Sequence, residues 1–156
     1  GTYAIQLAKY FGAEVTGVCS ARNNELVKSL GADHVLDYQH PDFENQLTKY
    51  DVVLVAVDKI PFKLCLRAMK EKGVYINVSL PLRTPRMIWA AWTTGKRILG
   101  GERPNDTAAD LKFLNTLIAA GKLKVVVDRT YSLEQIPEAH HYVDQGHKKG
   151  NVCITV

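Results

Sequence analysis

The sequence predicts an α/β fold built on a doubly wound, mostly parallel sheet. Short runs of β-branched and other apolar residues alternate along the chain with segments whose apolar residues recur at helical spacing. The run 50–57 is almost entirely apolar after its first two residues, which is typical of a parallel strand covered on both faces. Strands that alternate with helices indicate parallel strands joined by right-handed crossovers.

Start and stop signals set the bounds of these elements. Glycine is expected to end four of the helices, because it adopts the left-handed conformation of a C-cap, and these glycines are Gly12, Gly31, Gly121 and Gly146. The predicted helices are 3–11, 24–30, 62–69 after Pro61, a segment around 87–92, 107–120 and a last one that begins at Pro137. The predicted strands are 15–18, 32–38, 50–57, 73–79, 96–100 and 152–156. A short helix is also expected within 39–49, and Ser132 and Gln135 resemble a capping box.

Composition fits one domain over residues 1–156. Apolar residues make up 46% of the chain and charged residues 23%, which is ordinary for a globular protein with a sizeable core. The net charge of +4 is too weak and too dispersed to indicate a nucleic-acid partner. At most one polyanionic small molecule is expected.

The three cysteines, Cys19, Cys65 and Cys153, are widely separated and have no C-x-x-C spacing. This pattern argues against a structural zinc and against a disulfide scaffold, and it fits a reducing compartment. No window approaches the roughly 18 apolar residues of a membrane-spanning helix. The expected location is the cytoplasm, although the question of a transit peptide before Gly1 stays open.

The turn Ser20–Arg22 follows the first predicted strand. In a dinucleotide-binding unit this position contacts the adenosine ribose: an acidic residue accepts from a free 2′-hydroxyl, whereas a hydroxyl and a guanidinium bind a 2′-phosphate. The turn contains Ser20 and Arg22 and no Asp or Glu, which predicts the phosphorylated cofactor. The alternative is that Ser20 and Asn23 only cap a helix and that Arg22 is solvated.

Nearly the whole chain resembles one family. The segments GTYAIQLAKYFGAEV, CSARN, LGADHVLDY and GHKKGNVCITV are similar to the cofactor-binding half of medium-chain dehydrogenases/reductases, on the zinc-independent quinone oxidoreductase branch. The resemblance implies a Rossmann-like domain in which Gly1 matches the last glycine of the phosphate-binding fingerprint. The family's first strand, its earlier glycines and its N-terminal substrate domain are not in this sequence. We therefore expect the chain by itself to be inactive and marginally folded.

The resemblance also implies a set of cofactor-binding residues. The helix start at Gly1 and Thr2 is expected at the pyrophosphate. Tyr38, after the second strand, is expected beside the adenosine 2′-phosphate together with Ser20, Arg22 and Asn23. The basic segment His147, Lys148 and Lys149 is placed against the cofactor, with a solvated surface as the alternative.

A further group of residues follows the carboxyl ends of the predicted strands, where open α/β sheets bind ligands. These residues are expected to contact the nicotinamide and its ribose, mostly through backbone groups. They are Val57, Asp58, Val78, Ser79, Gly101 and Arg103.

The resemblance implies an oxidoreductase that transfers hydride from NADPH to a quinone, an enone or another carbonyl acceptor. No residue stands out as a catalytic acid or base, which is coherent with chemistry carried by the cofactor. Two alternatives stay open: the cofactor domain of a zinc-dependent alcohol dehydrogenase, and a non-catalytic cofactor-binding or interaction module.

The segment 87–92 carries both tryptophans of the chain, Trp89 and Trp92. They are expected either in the core or on the substrate cleft or a subunit contact. The resemblance implies that strand 96–100 forms the sheet edge and pairs with a second copy, so a homodimer is expected.

Overall fold

The computed structural model describes residues 1–79, 84–100, 107–146 and 148–156. Its helices are α1 Thr2–Tyr10, α2 Asn24–Ser29, α3 Phe43–Gln46, α4 Phe62–Arg67, α5 Pro85–Thr94, α6 Ala108–Ala119 and α7 Ile136–Asp144. Its strands are β1 Thr16–Cys19, β2 His34–Asp37, β3 Tyr50–Val55, β4 Met69–Asn77, β5 Arg97–Gly100, β6 Val127–Ser132 and β7 Asn151–Thr155. Short 3₁₀ turns cover Ala21–Asn23 and Leu133–Gln135.

The chain divides into two compact units. The central unit contains Asp37–Asp106 and Gly1, and the terminal unit contains Thr2–Leu36 and Thr107–Val156. Elements alternate between helix and strand in both units, and the strand pairs with a recorded register are parallel. The predicted α/β class with parallel strands is confirmed.

The central unit is built on the parallel sheet β3–β4–β5. Helices α4 and α5 contribute Cys65, Met87 and Ala90 to a core cluster whose other members are Val55, Met69, Tyr75 and Ile98. Helix α5 is well bounded: the Thr84 side chain accepts from the Met87 amide, and Gly95 ends the helix with a left-handed φ of 65°.

The terminal unit contains two smaller sheets, β1–β2 and the parallel pair β6–β7. Helix α2 packs closely on β1, because Gly17 has no side chain: a Cβ there would lie 2.4 Å from Cγ1 of Val27. Helix α6 begins with a complete capping box between Thr107 and Asp110.

A buried glutamine holds α1 to a loop in the terminal unit. Gln6 is 8% exposed, and its Nε2 donates to the carbonyl oxygens of Thr2 and Lys124 at 3.1 and 3.0 Å. The Lys124 amide donates to Gln6 Oε1 at 2.7 Å. The side chain therefore gives Lys124 the donor and the acceptor that a neighbouring strand would otherwise supply.

Several predicted bounds differ from the structure. Strand β4 begins at Met69 and not at Gly73, because a register shift between Tyr50 and Val52 lets the extra residues bulge beside β3. Strand β3 ends at Val55, and helix α7 begins one residue before Pro137.

The expectation that β3 is covered on both faces is wrong. Val55 is 7% exposed in the core, whereas Val52 and Leu54, which point to the opposite face, are 53% and 43% exposed. The strands that the structure describes form sheets of two, three and two strands rather than one continuous ladder.

The hydrogen bonds between the Gln6 side chain and the Lys124 backbone predict a specific loss of stability on mutation. Gln6→Ala leaves the Lys124 amide and carbonyl without their partners, so we expect the free energy of unfolding to fall by about 1–3 kcal/mol. Gln39→Ala, at an exposed position, is the matched control and should change it by less than about 0.5 kcal/mol. Urea unfolding of the full-length protein measures both, and equal stability of the two variants would contradict the role assigned to Gln6.

Candidate cofactor site

The turn after β1 is a compact polar unit. Ser20 is 7% exposed at the carboxyl end of the strand, and the Asn23 amide donates to the Ser20 carbonyl oxygen at 2.8 Å. Asn23 Nδ2 donates to Ser20 Oγ at 3.3 Å. Ser20 and Asn23 stand at N-cap positions, as the alternative interpretation expects, but neither side chain makes a capping hydrogen bond.

The same turn contains an unsatisfied polar atom. Asn23 Oδ1 is inaccessible to solvent and has no hydrogen-bond partner. A buried polar atom without a partner costs about 1–3 kcal/mol and is uncommon in folded proteins. This oxygen only accepts, so the groups of the turn that could donate to a phosphate are the exposed Arg22 guanidinium and the buried Ser20 hydroxyl.

The other residues predicted near the adenosine and pyrophosphate lie at the expected ends of their elements. Thr2 is the first residue of α1, directly after Gly1. Tyr38 directly follows β2, the strand that pairs with β1, and is half-buried. Within this predicted set, Ser20 and Asn23 contact each other directly.

Residues at the carboxyl edge of the central sheet are brought together by the strand register. Val55 pairs with Asn77, and Asn77 pairs with Gly100, so the three strands end at one level. Val57 and Asp58 follow β3, Val78 and Ser79 follow β4, and all four are exposed. Gly101 and Arg103 lie outside the described residues.

A polar network at this edge was missed by the sequence analysis. Asn77, 2% exposed, donates through Nδ2 to the Tyr75 hydroxyl at 3.0 Å, and its Oδ1 accepts from the Ser79 amide and from Ser79 Oγ, both at 2.8 Å. The sequence contains a pattern that could have indicated this network: Tyr75, Asn77 and Ser79 stand at alternate positions, and alternate residues of a strand lie on one face. Burial raises the pKa of the Tyr75 hydroxyl, so this group stays neutral at pH 7.

The basic segment before β7 is fixed through its backbone. Lys148 and Lys149 are exposed, and His147 lies outside the described residues. The Lys149 amide donates to Asp128 Oδ2 at 2.9 Å, and the Tyr142 hydroxyl donates to the same oxygen at 2.7 Å. The hydrogen bond from the Tyr142 hydroxyl is the main cause that holds the pKa of Asp128 below its ordinary value, and the hydrogen bond from the Lys149 amide contributes in the same direction.

Metal ligands do not converge in the part of the chain that the structure describes: it contains no group of three or more His, Cys, Asp or Glu side chains able to hold an ion. No disulfide joins Cys19, Cys65 and Cys153. None of the described helices is long and apolar enough to cross a membrane.

Comparison with known proteins identifies the family. The family model for zinc-binding dehydrogenases matches residues 30–154. The chain belongs to the zinc-binding dehydrogenase family. The predicted resemblance to medium-chain dehydrogenases/reductases is thereby confirmed.

Similar proteins in this family include oxidoreductases of organelles. The chain is 35% identical to the chloroplast envelope quinone oxidoreductase homolog of Arabidopsis thaliana, over 99% of this chain and 48% of the relative. It is 31% identical to the mitochondrial NAD(P)H oxidoreductase RTN4IP1 of Danio rerio, over 100% of this chain and 46% of the relative. The chain thus spans about half the length of these curated relatives.

A solved structure supports the fold. The quinone oxidoreductase from Coxiella burnetii matches with a TM-score of 0.87 and 26% identity, over 100% of this chain and 49% of that chain. The family name implies zinc, but the described residues supply no ligand set that fits this ion.

The Asp128 contact predicts a pH-dependent stability. Because the folded-state pKa of Asp128 is lowered, its contribution is present above the ordinary value of 3.8 and is lost as the pH falls through the folded-state value. Tyr142→Phe removes the hydroxyl but keeps the ring that stacks under Arg129, so we expect a lower unfolding temperature at pH 7 than in the unmodified protein. The difference in stability between Tyr142→Phe and the unmodified protein should become smaller below about pH 4.

Thermal unfolding of the full-length protein between pH 7 and pH 3 tests this expectation. Tyr10→Phe is the control, since Tyr10 makes ring contacts with Phe11 and Phe113 that the substitution retains. A deficit for Tyr142→Phe that stays constant with pH would contradict the role of its hydroxyl on Asp128.

Proposed function

We propose that this chain is the NADP(H)-binding part of an oxidoreductase that transfers hydride from NADPH to a quinone, an enone or another carbonyl acceptor. The observation that carries the proposal is the turn after β1, which presents Ser20, Arg22 and Asn23 and no carboxylate. The names of the relatives, quinone oxidoreductase and NAD(P)H oxidoreductase, support the reaction class.

The residues of the turn distinguish the two nicotinamide cofactors. Ser20 Oγ accepts from Asn23 Nδ2, so its own proton remains for donation to the 2′-phosphate. Arg22, which is exposed, contributes the positive charge and a planar array of donors. Since Ser20 is buried and Arg22 is exposed, Arg22 carries most of the preference for the phosphorylated cofactor.

The remaining predicted residues bind the rest of the cofactor. Backbone N–H groups of the first turn of α1, near Gly1 and Thr2, receive the pyrophosphate. The exposed residues after β3 and β4 line the nicotinamide and its ribose. When bound, the cofactor supplies the hydride, and this chain orients it.

The compartment proposed for the protein is the cytoplasm, as the three cysteines suggest. The relatives from Arabidopsis thaliana and Danio rerio are named for the chloroplast envelope and the mitochondrion. Fractionation of cells that express the full-length protein distinguishes the cytoplasm from an organelle.

The protein is also proposed to form a homodimer through β5 and α5. Strand β5 lies at the end of the sheet order β3–β4–β5, so one side of it has no described strand as a partner. Helix α5 exposes Ile88, Trp89 and Trp92 by 56%, 69% and 92%. These values exclude the core position for the tryptophans, and of the two remaining positions, the substrate cleft and a subunit contact, we propose the contact with a second copy.

Cofactor preference tests the proposed function. We expect the full-length protein to bind NADPH about tenfold or more tightly than NADH, because charge-assisted hydrogen bonds contribute about 1.5–3 kcal/mol. Arg22→Ala should remove most of this preference and leave NADH affinity nearly unchanged. Lys28→Ala, which removes an exposed cation of the adjacent helix, is the matched control. Equal affinities of the unmodified protein for the two cofactors would refute the assignment.

Assembly is tested by light scattering of the full-length protein. We expect a dimer at micromolar concentration, and Trp92→Glu should convert it to a monomer, because a charge placed in an apolar contact is strongly unfavourable. Leu111→Glu changes another exposed apolar residue, 64% exposed on α6, and should leave the dimer intact. A monomeric unmodified protein, or dissociation by both variants alike, would count against the proposed surface.

A further inference from the structure

The turn after β4 has an unusual division of hydrogen-bond donors and acceptors. An Asn77 side-chain atom lies 2.8 Å from the Ser79 amide nitrogen. A backbone N–H can only donate, so this atom must be the amide oxygen, and the orientation of the Asn77 side chain is settled by its contacts. Nδ2 therefore faces Tyr75, whose hydroxyl oxygen accepts.

The orientation of Asn77 determines what Ser79 can offer to a ligand. Ser79 Oγ also lies 2.8 Å from Asn77 Oδ1, and an amide oxygen cannot donate. The hydroxyl proton of Ser79 is therefore directed to Asn77, and Oγ presents only lone pairs elsewhere. The backbone donors are occupied as well, since the Val78 amide donates to the Val55 carbonyl oxygen at 3.1 Å.

We propose that Asn77 is a positioning residue that makes Ser79 Oγ a dedicated hydrogen-bond acceptor for the cofactor. The partner must then be a donor, either a hydroxyl of the nicotinamide ribose or the N–H of the carboxamide. A phosphate group does not fit Ser79, because at neutral pH its oxygens accept, whereas the Val78 and Ser79 amides already donate within the described chain. This inference rests on the proposed NADP(H) binding and assigns one half of the cofactor to the edge at β4.

Burial makes the arrangement rigid. Asn77 and Tyr75 are 2% and 1% exposed, and Tyr75 packs edge to face on Phe62 with ring centroids 5.0 Å apart. Asn77 therefore cannot turn to solvent without leaving polar atoms unpaired in the core. Ser79, by contrast, is exposed, so the fixed acceptor lies at the surface of the sheet edge.

Binding of two ligands by the full-length protein tests the proposal. NADPH contains both halves of the cofactor, whereas 2′,5′-ADP contains the phosphorylated adenosine and no nicotinamide ribose. Ser79→Ala and Asn77→Ala should each weaken NADPH binding about three- to tenfold and leave 2′,5′-ADP affinity unchanged. Asn77→Asp keeps an oxygen facing Ser79 and can accept from the Tyr75 hydroxyl, so it should bind NADPH within about twofold of the unmodified protein.

A double variant distinguishes positioning from general support of the fold. If Asn77 acts through Ser79, Asn77→Ala added to Ser79→Ala has no further effect on NADPH affinity. Additive losses, equal losses for both ligands, or unchanged NADPH affinity in Ser79→Ala would overturn the inference. If Asn77→Ala does not fold, the variants Ser79→Ala and Asn77→Asp still test the inference. Weak NADPH binding by Asn77→Asp would overturn the inference too. Failure of the unmodified protein to bind either ligand would instead refute the proposed function.

Discussion

The candidate contacts on the nicotinamide side depend on the register of the β3–β4–β5 ladder. Its hydrogen bonds align Val55, Asn77 and Gly100 at one level, so the residues that follow them leave the sheet at one edge. Packing maintains that register: Tyr75 and Ile98, paired across β4 and β5, both lie in the core. A slip of either strand by one residue would turn its own side chain out of the core, which makes alternative registers costly.

Polar side chains complete backbone hydrogen bonding where regular structure ends. Lys96 Nζ donates to the carbonyl oxygens of Leu66, Met69 and Lys70, at the end of α4 and the start of β4, where helix carbonyls lack partners. Burial, more than the nearby charge of Lys49, lowers the pKa of Lys96. The Asn77 amide has the same kind of role at the opposite end of β4. Ligand-facing groups at that end are thus fixed by side chains and not by the ladder alone.

Local patterns were predictable from the sequence, and tertiary ones were not. The predicted helix stops all have positive φ, and they are Gly12, Gly31, Gly121 and Gly146. The Ser20 and Asn23 turn was also predictable, because its partners are three residues apart. The contact of Gln6 with Lys124 joins positions 118 residues apart, and no local pattern indicates it. Helical spacing could not show that Trp92 faces solvent either. The core positions of α5 are occupied by Met87 and Ala90, which are smaller or more flexible than tryptophan.

The turn after β1 in the terminal unit and the edge after β4 in the central unit, each taken by itself, offer different hydrogen-bonding groups. The turn after β1 presents a hydroxyl proton on Ser20 and the guanidinium of Arg22, both donors, for a phosphate that carries only acceptors. After β4, the Val78 and Ser79 amides are used internally, and Ser79 Oγ is left as an acceptor. The nicotinamide half carries ribose hydroxyls and a carboxamide N–H that can donate to such an acceptor. Phosphate oxygens opposite the lone pairs of Ser79 would be unfavourable, and so this edge of the central unit, taken by itself, favours a ligand group that donates.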